Sequence, residues 1–209
     1  MARIKYYDNG TSTWKYADMA VQLPARLPSA YKEVEYIESD GTGQYFSISA
    51  SHQYSKLSKA IVDFQFNSIN TGNILFGGVG SSHTSFFFGA NGTAWRYGVS
   101  TDYTYGTFDT DRHTFLLSNG SQKLDSTEIS TYTWASTATD VLTLSRNANG
   151  AAFANCKIYS FGFYENDAAV CVLVPCYRVA DSEVGMYDLV TGTFYTNAGT
   201  GTFTKGADV

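Results

Sequence analysis

Val62, Phe64 and Phe66 alternate with Asp63 and Gln65. A period of two sends alternate side chains to opposite faces of an extended chain, so this stretch predicts a strand with one apolar and one polar face. Residues 73–77, 84–89 and 94–98 are short apolar runs bounded by glycines and polar residues, and Asn91-Gly92 between the last two signals a tight hairpin. Residues 112–117 and 122–125 flank Asn119-Gly120 and predict a second hairpin. Residues 141–144 and 156–164 read as central strands, because both faces of the second carry large side chains, and 170–174 is equally apolar. No segment of ten or more residues follows the i, i+3, i+4 pattern, so little helix is expected. Short strands between turn clusters from Tyr31 onward predict an antiparallel β-sandwich. The near-repeat of 192–197 and 201–206 predicts a terminal hairpin, not a repeat architecture.

The N-terminal residues read differently. Two aromatic runs, 4–7 and 14–17, are separated by Asp8-Asn9-Gly10 and predict a hairpin too small to own a core. A lone hairpin is marginal in water, so it needs a partner, either the sandwich or another protein. Pro24 and Pro28 follow, and their fixed φ and missing N–H groups predict an extended connector. The expected organisation is an attachment segment over 1–22, a linker over 23–30 and a sandwich over 31–209.

Composition agrees with this pattern. The 209 residues suffice for one well-buried core, and 16 Tyr and 14 Phe with a charged fraction of 16% suit strands rather than helices. A net charge of −5 with scattered Lys and Arg removes the attraction that drives binding to nucleic acid or anionic membrane. With no long apolar run, neither membrane insertion nor an export signal of its own is expected. Cys156, Cys171 and Cys176 are odd in number and lack C-x-x-C spacing, so buried free thiols are expected. Cys171 and Cys176, five apart on a strand, point to opposite faces.

Candidate chemistry is sparse. His52, His83 and His113 lack short-range ligand spacing, no G-x-S-x-G nucleophile turn stands out, and Gly77-Gly78-Val79-Gly80 lacks the Lys and helix of a phosphate loop. Asn9-Gly10-Thr11, Asn91-Gly92-Thr93 and Asn119-Gly120-Ser121 match the glycosylation sequon but read as turns. Sugar recognition uses aromatic faces beside amides and carboxylates. The densest such group is Asn91, Trp95, Tyr97, Asp102, Tyr103 and Tyr105, with Asp109 beyond it; Tyr132 and Trp134 with Asn147 and Asn149 form a second. The competing reading is that these aromatics fill a core or a subunit interface. No cofactor is expected, and a calcium ion held by Asp102, Asp109 and Asp111 is kept as an alternative.

Two stretches carry a resemblance. Residues 27–39 (LPSAYKEVEYIES) with Gly41-Thr42-Gly43-Gln44-Tyr45, and residues 185–197 (GMYDLVTGTFYTN), resemble the opening and closing signatures of concanavalin A-like, laminin G-like domains in structural proteins of gut bacteriophages and prophages. Arg112-His113-Thr114-Phe115 with its Asn119-Gly120 turn, and Leu142-Thr143-Leu144 leading to 157–160, resemble the family's interior strands. The leader, with Tyr6, Tyr7, Trp14 and Tyr16, resembles short segments that anchor such modules to a particle.

This resemblance implies a jelly-roll display or adhesion module on the virion, in a tail fibre or on the capsid surface, made in the bacterial host's cytoplasm. Its partners would be other virion proteins through the leader and a host surface glycan through the sandwich, with a homo-oligomer, guessed to be a trimer, by analogy with phage fibres. A structural decoration domain without a ligand is the alternative. Glu33-Val34-Glu35-Tyr36-Ile37-Glu38 is also similar to the carboxylate strand of β-glucanases, where a retaining enzyme needs two carboxyl groups about 5–5.5 Å apart. Here Glu35 replaces that family's Asp and the motif lies near the start of the chain, so a solvated strand edge is the better reading and no catalytic residue is expected.

Overall fold

The alternation at Val62, Phe64 and Phe66 becomes the inward face of β6 (Leu57–Phe66), which runs between β11 (Arg112–Ser118) and β15 (Asn155–Glu165). The computed structural model describes residues 3–8, 13–18, 27–53, 57–68, 74–78, 86–91, 93–99, 102–133, 139–146 and 153–209. Beyond β11 the sheet continues through β12 (Ser121–Leu124) to β13 (Thr127–Ser130). On the other side it continues from β15 through β16 (Ala168–Arg178) and β17 (Val184–Asp188) to β18 (Phe194–Tyr195). Three short strands complete it: β3 (Tyr31–Glu33) on β16, β4 (Ile37–Asp40) on β15, and β19 (Thr204–Lys205) on β4.

The second sheet runs β10 (Asp102–Tyr105), β9 (Ala94–Val99), β8 (Phe86–Asn91), β7 (Ile74–Gly78), β14 (Thr139–Leu144) and β5 (Phe46–Gln53). Every pairing in both sheets is antiparallel, and the described residues contain no helix. The all-β antiparallel sandwich expected from the pattern is the architecture observed.

Aromatic side chains from the two sheets meet in one core. Phe88 of the smaller sheet stacks on Phe115 of the larger at 3.8 Å and 11°, Phe64 meets Phe88 edge-on at 5.2 Å, and Phe76 meets Phe161 at 5.6 Å. All five are fully buried, each contributing about 1.5–3 kcal/mol through removal from water. Both predicted inner hairpins form. Asn91 pairs with Ala94, and Ser118 pairs with Ser121 across a turn in which Gly120 adopts φ +84°.

The expected terminal hairpin does not form. β18 pairs with β17, whereas β19 leaves it to pair with β4, so the two Gly-Thr-Phe segments have different partners. The reason lies in a clasp between the two signature segments. Asn197 Oδ1 accepts from the N–H groups of Tyr45 (3.1 Å) and Gly199 (2.9 Å), while its Nδ2 donates to the carbonyls of Thr200 (3.1 Å) and Gly201 (2.9 Å). Phe203 stacks on Phe46 at 4.4 Å and 2°, which draws the chain across to the free edge of β4. A Cβ on Gly199 would lie 1.9 Å from the Gly43 carbonyl oxygen, so the close approach requires glycine there.

The leader forms a separate two-stranded sheet of β1 (Arg3–Asp8) and β2 (Thr13–Asp18), with Tyr7 opposite Trp14 and Lys5 opposite Tyr16. β1 passes within 8 Å, Cα to Cα, of β11. The side chains of Tyr6, Tyr7, Trp14 and Tyr16 lie outside the described residues, as do linker residues 23–26. The three cysteines are free and buried. Burial pushes the thiols of Cys156 and Cys176 up to about 12 and that of Cys171 well above its usual value, so they act as packing groups rather than nucleophiles.

Candidate functional site

The aromatic group predicted for ligand binding separates in space. On β9 the inward positions are Trp95 and Tyr97, which are 2% and 3% exposed. Trp95 packs against Phe64, Phe66, Phe88 and Phe108, and Tyr97 against Phe115. Both are therefore corrected from ligand residues to core residues, because enclosed rings have no face to offer a sugar. Tyr103, opposite Tyr97 on edge strand β10, is half-buried and lies 5.8 Å from Tyr97 and 4.9 Å from Tyr132.

That Tyr103–Tyr132 contact joins one tyrosine from each predicted group, where it closes one margin of the sandwich. Tyr105 alone of the described ring residues in the first group is largely open, at 37% exposure. Asn91 ends β8 and Asp102 lies opposite Gly98, but their side chains, with Trp134, Asn147 and Asn149, lie outside the described residues.

Of the three acids considered for calcium, Asp109 contacts a histidine, Asp111 contributes its N–H to Asp109, and the side chain of Asp102 lies outside the described residues. Asp109 Oδ1 accepts from the Asp111 N–H at 2.9 Å and lies 2.7 Å from His113 Nε2, while Asp125 Oδ2 lies 2.9 Å from His113 Nδ1. Burial lowers the His113 pKa, but hydrogen bonds and charge from Asp125 and Asp109 outweigh it and raise the value from 6.5 to about 9. The ring is thus an imidazolium donating from both nitrogens, packed edge-on to Trp95 at 5.2 Å. Protonated at neutral pH, it cross-links the loops that carry Asp109 and Asp125. Among the described residues no group of three or more His, Cys, Asp or Glu is placed to hold a metal ion.

The carboxylate motif is split between strands. Glu33 lies on β3 opposite Cys176, and Glu38 lies on β4 opposite Lys157. Glu33 and Glu35 are exposed. Glu38 accepts from Asn67 Nδ2 at 2.8 Å and from Thr204 Oγ1 at 3.3 Å.

A different constellation forms on the outward face of the larger sheet. Asp63 and Gln65 on β6, Arg112 on β11 and Lys157 on β15 alternate with inward core residues and share this face. A bulge on β15 places Tyr159 between Ile158, opposite Phe64, and Ser160, opposite Asp63. The period of two from Lys157 already sends Tyr159 outward, and the extra residue turns Phe161, opposite Val62, back to the core. Arg112 grips Asp63 bidentately, Nε to Oδ1 at 2.8 Å and Nη2 to Oδ2 at 2.7 Å, and its guanidinium carbon lies 3.4 Å from the Tyr159 ring centroid.

Tyr36 meets Tyr159 at 5.4 Å and 64°, and Lys157 Nζ lies 4.7 Å from the Tyr36 ring centroid. The Tyr159 hydroxyl donates to Gln65 Oε1 at 3.1 Å, and Gln65 Nε2 donates to the Thr110 carbonyl at 3.0 Å. Burial, only partly offset by Arg112, pushes the Tyr159 phenol up to about 12, so it remains a neutral donor. Two half-buried rings held by cations, flanked by amide, ammonium and carboxylate groups, can offer apolar surface together with hydrogen-bonding groups. Nothing in this arrangement activates a nucleophile. No protein-family model matches the chain, and no curated protein matches it.

Proposed function

We propose that the chain is a non-enzymatic bacteriophage virion component, a tail-fibre or capsid-surface protein, in which a concanavalin A-like jelly roll is displayed for adhesion to a host glycan. The observation that carries the recognition half is the outward Tyr36–Tyr159 pair, bordered by Lys157, Gln65 and Glu38 on the outward face of the larger sheet. Support for the virion setting is the resemblance of residues 27–45 and 185–197, which meet in one clasp, together with a leader hairpin that forms its own small sheet. The leader would dock onto other virion proteins, in a homo-oligomer for which a trimer is the working expectation.

The alternative of a decoration domain without a sugar ligand draws on the enclosure of Trp95 and Tyr97, which gives part of the aromatic content a packing role. A panel of host-surface glycans presented to the full chain tests the reading. Binding at micromolar to millimolar sugar is expected, and silence across the panel at millimolar concentration would favour decoration. Released reducing ends would instead bring back the glycosidase reading.

A further inference from the structure

Ser145 ends the path of β14 in the left-handed region, at φ +63°, with its residue fully buried. A non-glycine residue there is strained, and such positions persist where surrounding bonds over-determine them. Here its N–H donates to the Leu75 carbonyl at 2.7 Å and its carbonyl accepts from the Ala154 N–H at 2.9 Å. The consequence falls on the next residue. Arg146 forms an isolated bridge with Phe153, and its guanidinium carbon lies 4.3 Å from the Tyr45 ring centroid and 5.7 Å from that of Phe153.

Two aromatic rings 6.2 Å apart thus hold a cation in a fixed pose. Arg112 and Arg178 are each balanced by an aspartate that they grip through Nε and Nη2. Arg146 differs. No carboxylate of the described residues pairs with it, and its Nε is enclosed without a hydrogen-bond partner. The enclosed Nε leaves the terminal nitrogens as the groups through which this charge can be balanced, and a planar carboxylate is the group that best matches a guanidinium. Phe153 also continues, by the period of two, the outward series Lys157 and Asn155.

We infer that Arg146, clamped by Tyr45 and Phe153, is a subsite for the carboxylate of an acidic sugar, a uronic or sialic acid unit of the glycan. The carboxylate oxygens lie across the terminal nitrogens of Arg146, and the sugar extends toward Asn155 and Lys157. This assignment rests on the glycan-recognition reading above. Because the cation is already positioned, little ordering is lost on binding, and discrimination against neutral sugars follows from charge.

The test is calorimetric titration of the full chain with a hexuronate oligosaccharide, its methyl ester, the neutral parent oligosaccharide, a sialyl-oligosaccharide and a glutamate-rich peptide. At least one acidic sugar should bind tenfold or more tightly than its uncharged counterpart. Arg146→Gln should erase that gap and Arg146→Lys should keep part of it, with unfolding temperatures within a few degrees of wild type. Equal binding of charged and neutral forms by the wild-type protein, or a gap that survives Arg146→Gln, would overturn the subsite while leaving glycan recognition standing. Binding of the peptide without any sugar, or of no probe at all, would overturn both.

Discussion

Asn197→Ala removes four hydrogen bonds at once from the clasp that joins the opening and closing segments. Net contributions of about 0.5–1.5 kcal/mol apply to each such bond, and water can replace part of what is lost at this half-buried position. A destabilisation of about 2–3 kcal/mol is therefore expected. Urea unfolding followed by tryptophan fluorescence should show the midpoint falling by about 1 M, for a slope of about 2–3 kcal/mol/M. Asn197→Asp sharpens the test because it preserves shape and both acceptor contacts to Tyr45 and Gly199, yet sets a carboxylate against the carbonyls of Thr200 and Gly201. It should be at least as damaging as Ala. A loss below about 0.5 kcal/mol for Ala, or tolerance of Asp, would refute the clasp.

Further outcomes follow from the same contacts. The His113 pair contributes stability fully below about pH 6.5, its unfolded value, and loses it as pH rises through about 9, because the folded protein holds the proton more tightly. Half-exposed Asp109 limits this to about 1–2 kcal/mol, so unfolding midpoints at pH 6 and pH 10 should differ in wild type and converge in His113→Gln. Asp63→Asn removes the carboxylate charge that balances Arg112 on a largely enclosed site and should cost about 3 kcal/mol by denaturant titration, whereas Asp63→Leu with Arg112→Met should cost less. Trp95→Ala should lower stability by about 3–5 kcal/mol, and residual folded protein at low temperature should retain any glycan binding, since that ring lies in the core.

The sandwich was legible because alternation at 62–66 and the Asn-Gly turns act locally, and local rules require no knowledge of partners. β15, read as a central strand from its large side chains, does lie between β6 and β16. The partner of β19 was not legible, since the choice between β18 and β4 depends on Asn197 reaching residues more than 150 positions away. Trp95 and Tyr97 were misread for a related reason. They sit in a turn-rich stretch, yet the same period of two that marks a strand sends both inward, and only the facing sheet shows which side is the core. Tyr159 shares the outward face of Lys157 by the period of two, but its partners Tyr36, Gln65 and Arg112 come from distant segments, and Arg146 is hidden by its position after a left-handed serine. The two aspartates that hold His113 come from different loops, a pairing that no local spacing reveals.

On the proposed reading, the recognition surface is the outward face of the larger sheet, not the Tyr105 margin. The most direct test is glycan binding by Tyr36→Leu and Tyr105→Leu side by side, each shown by circular dichroism to be folded. Tyr36→Leu should weaken binding by tenfold or more, with Tyr105→Leu within twofold of wild type. The reverse pattern would contradict the claim.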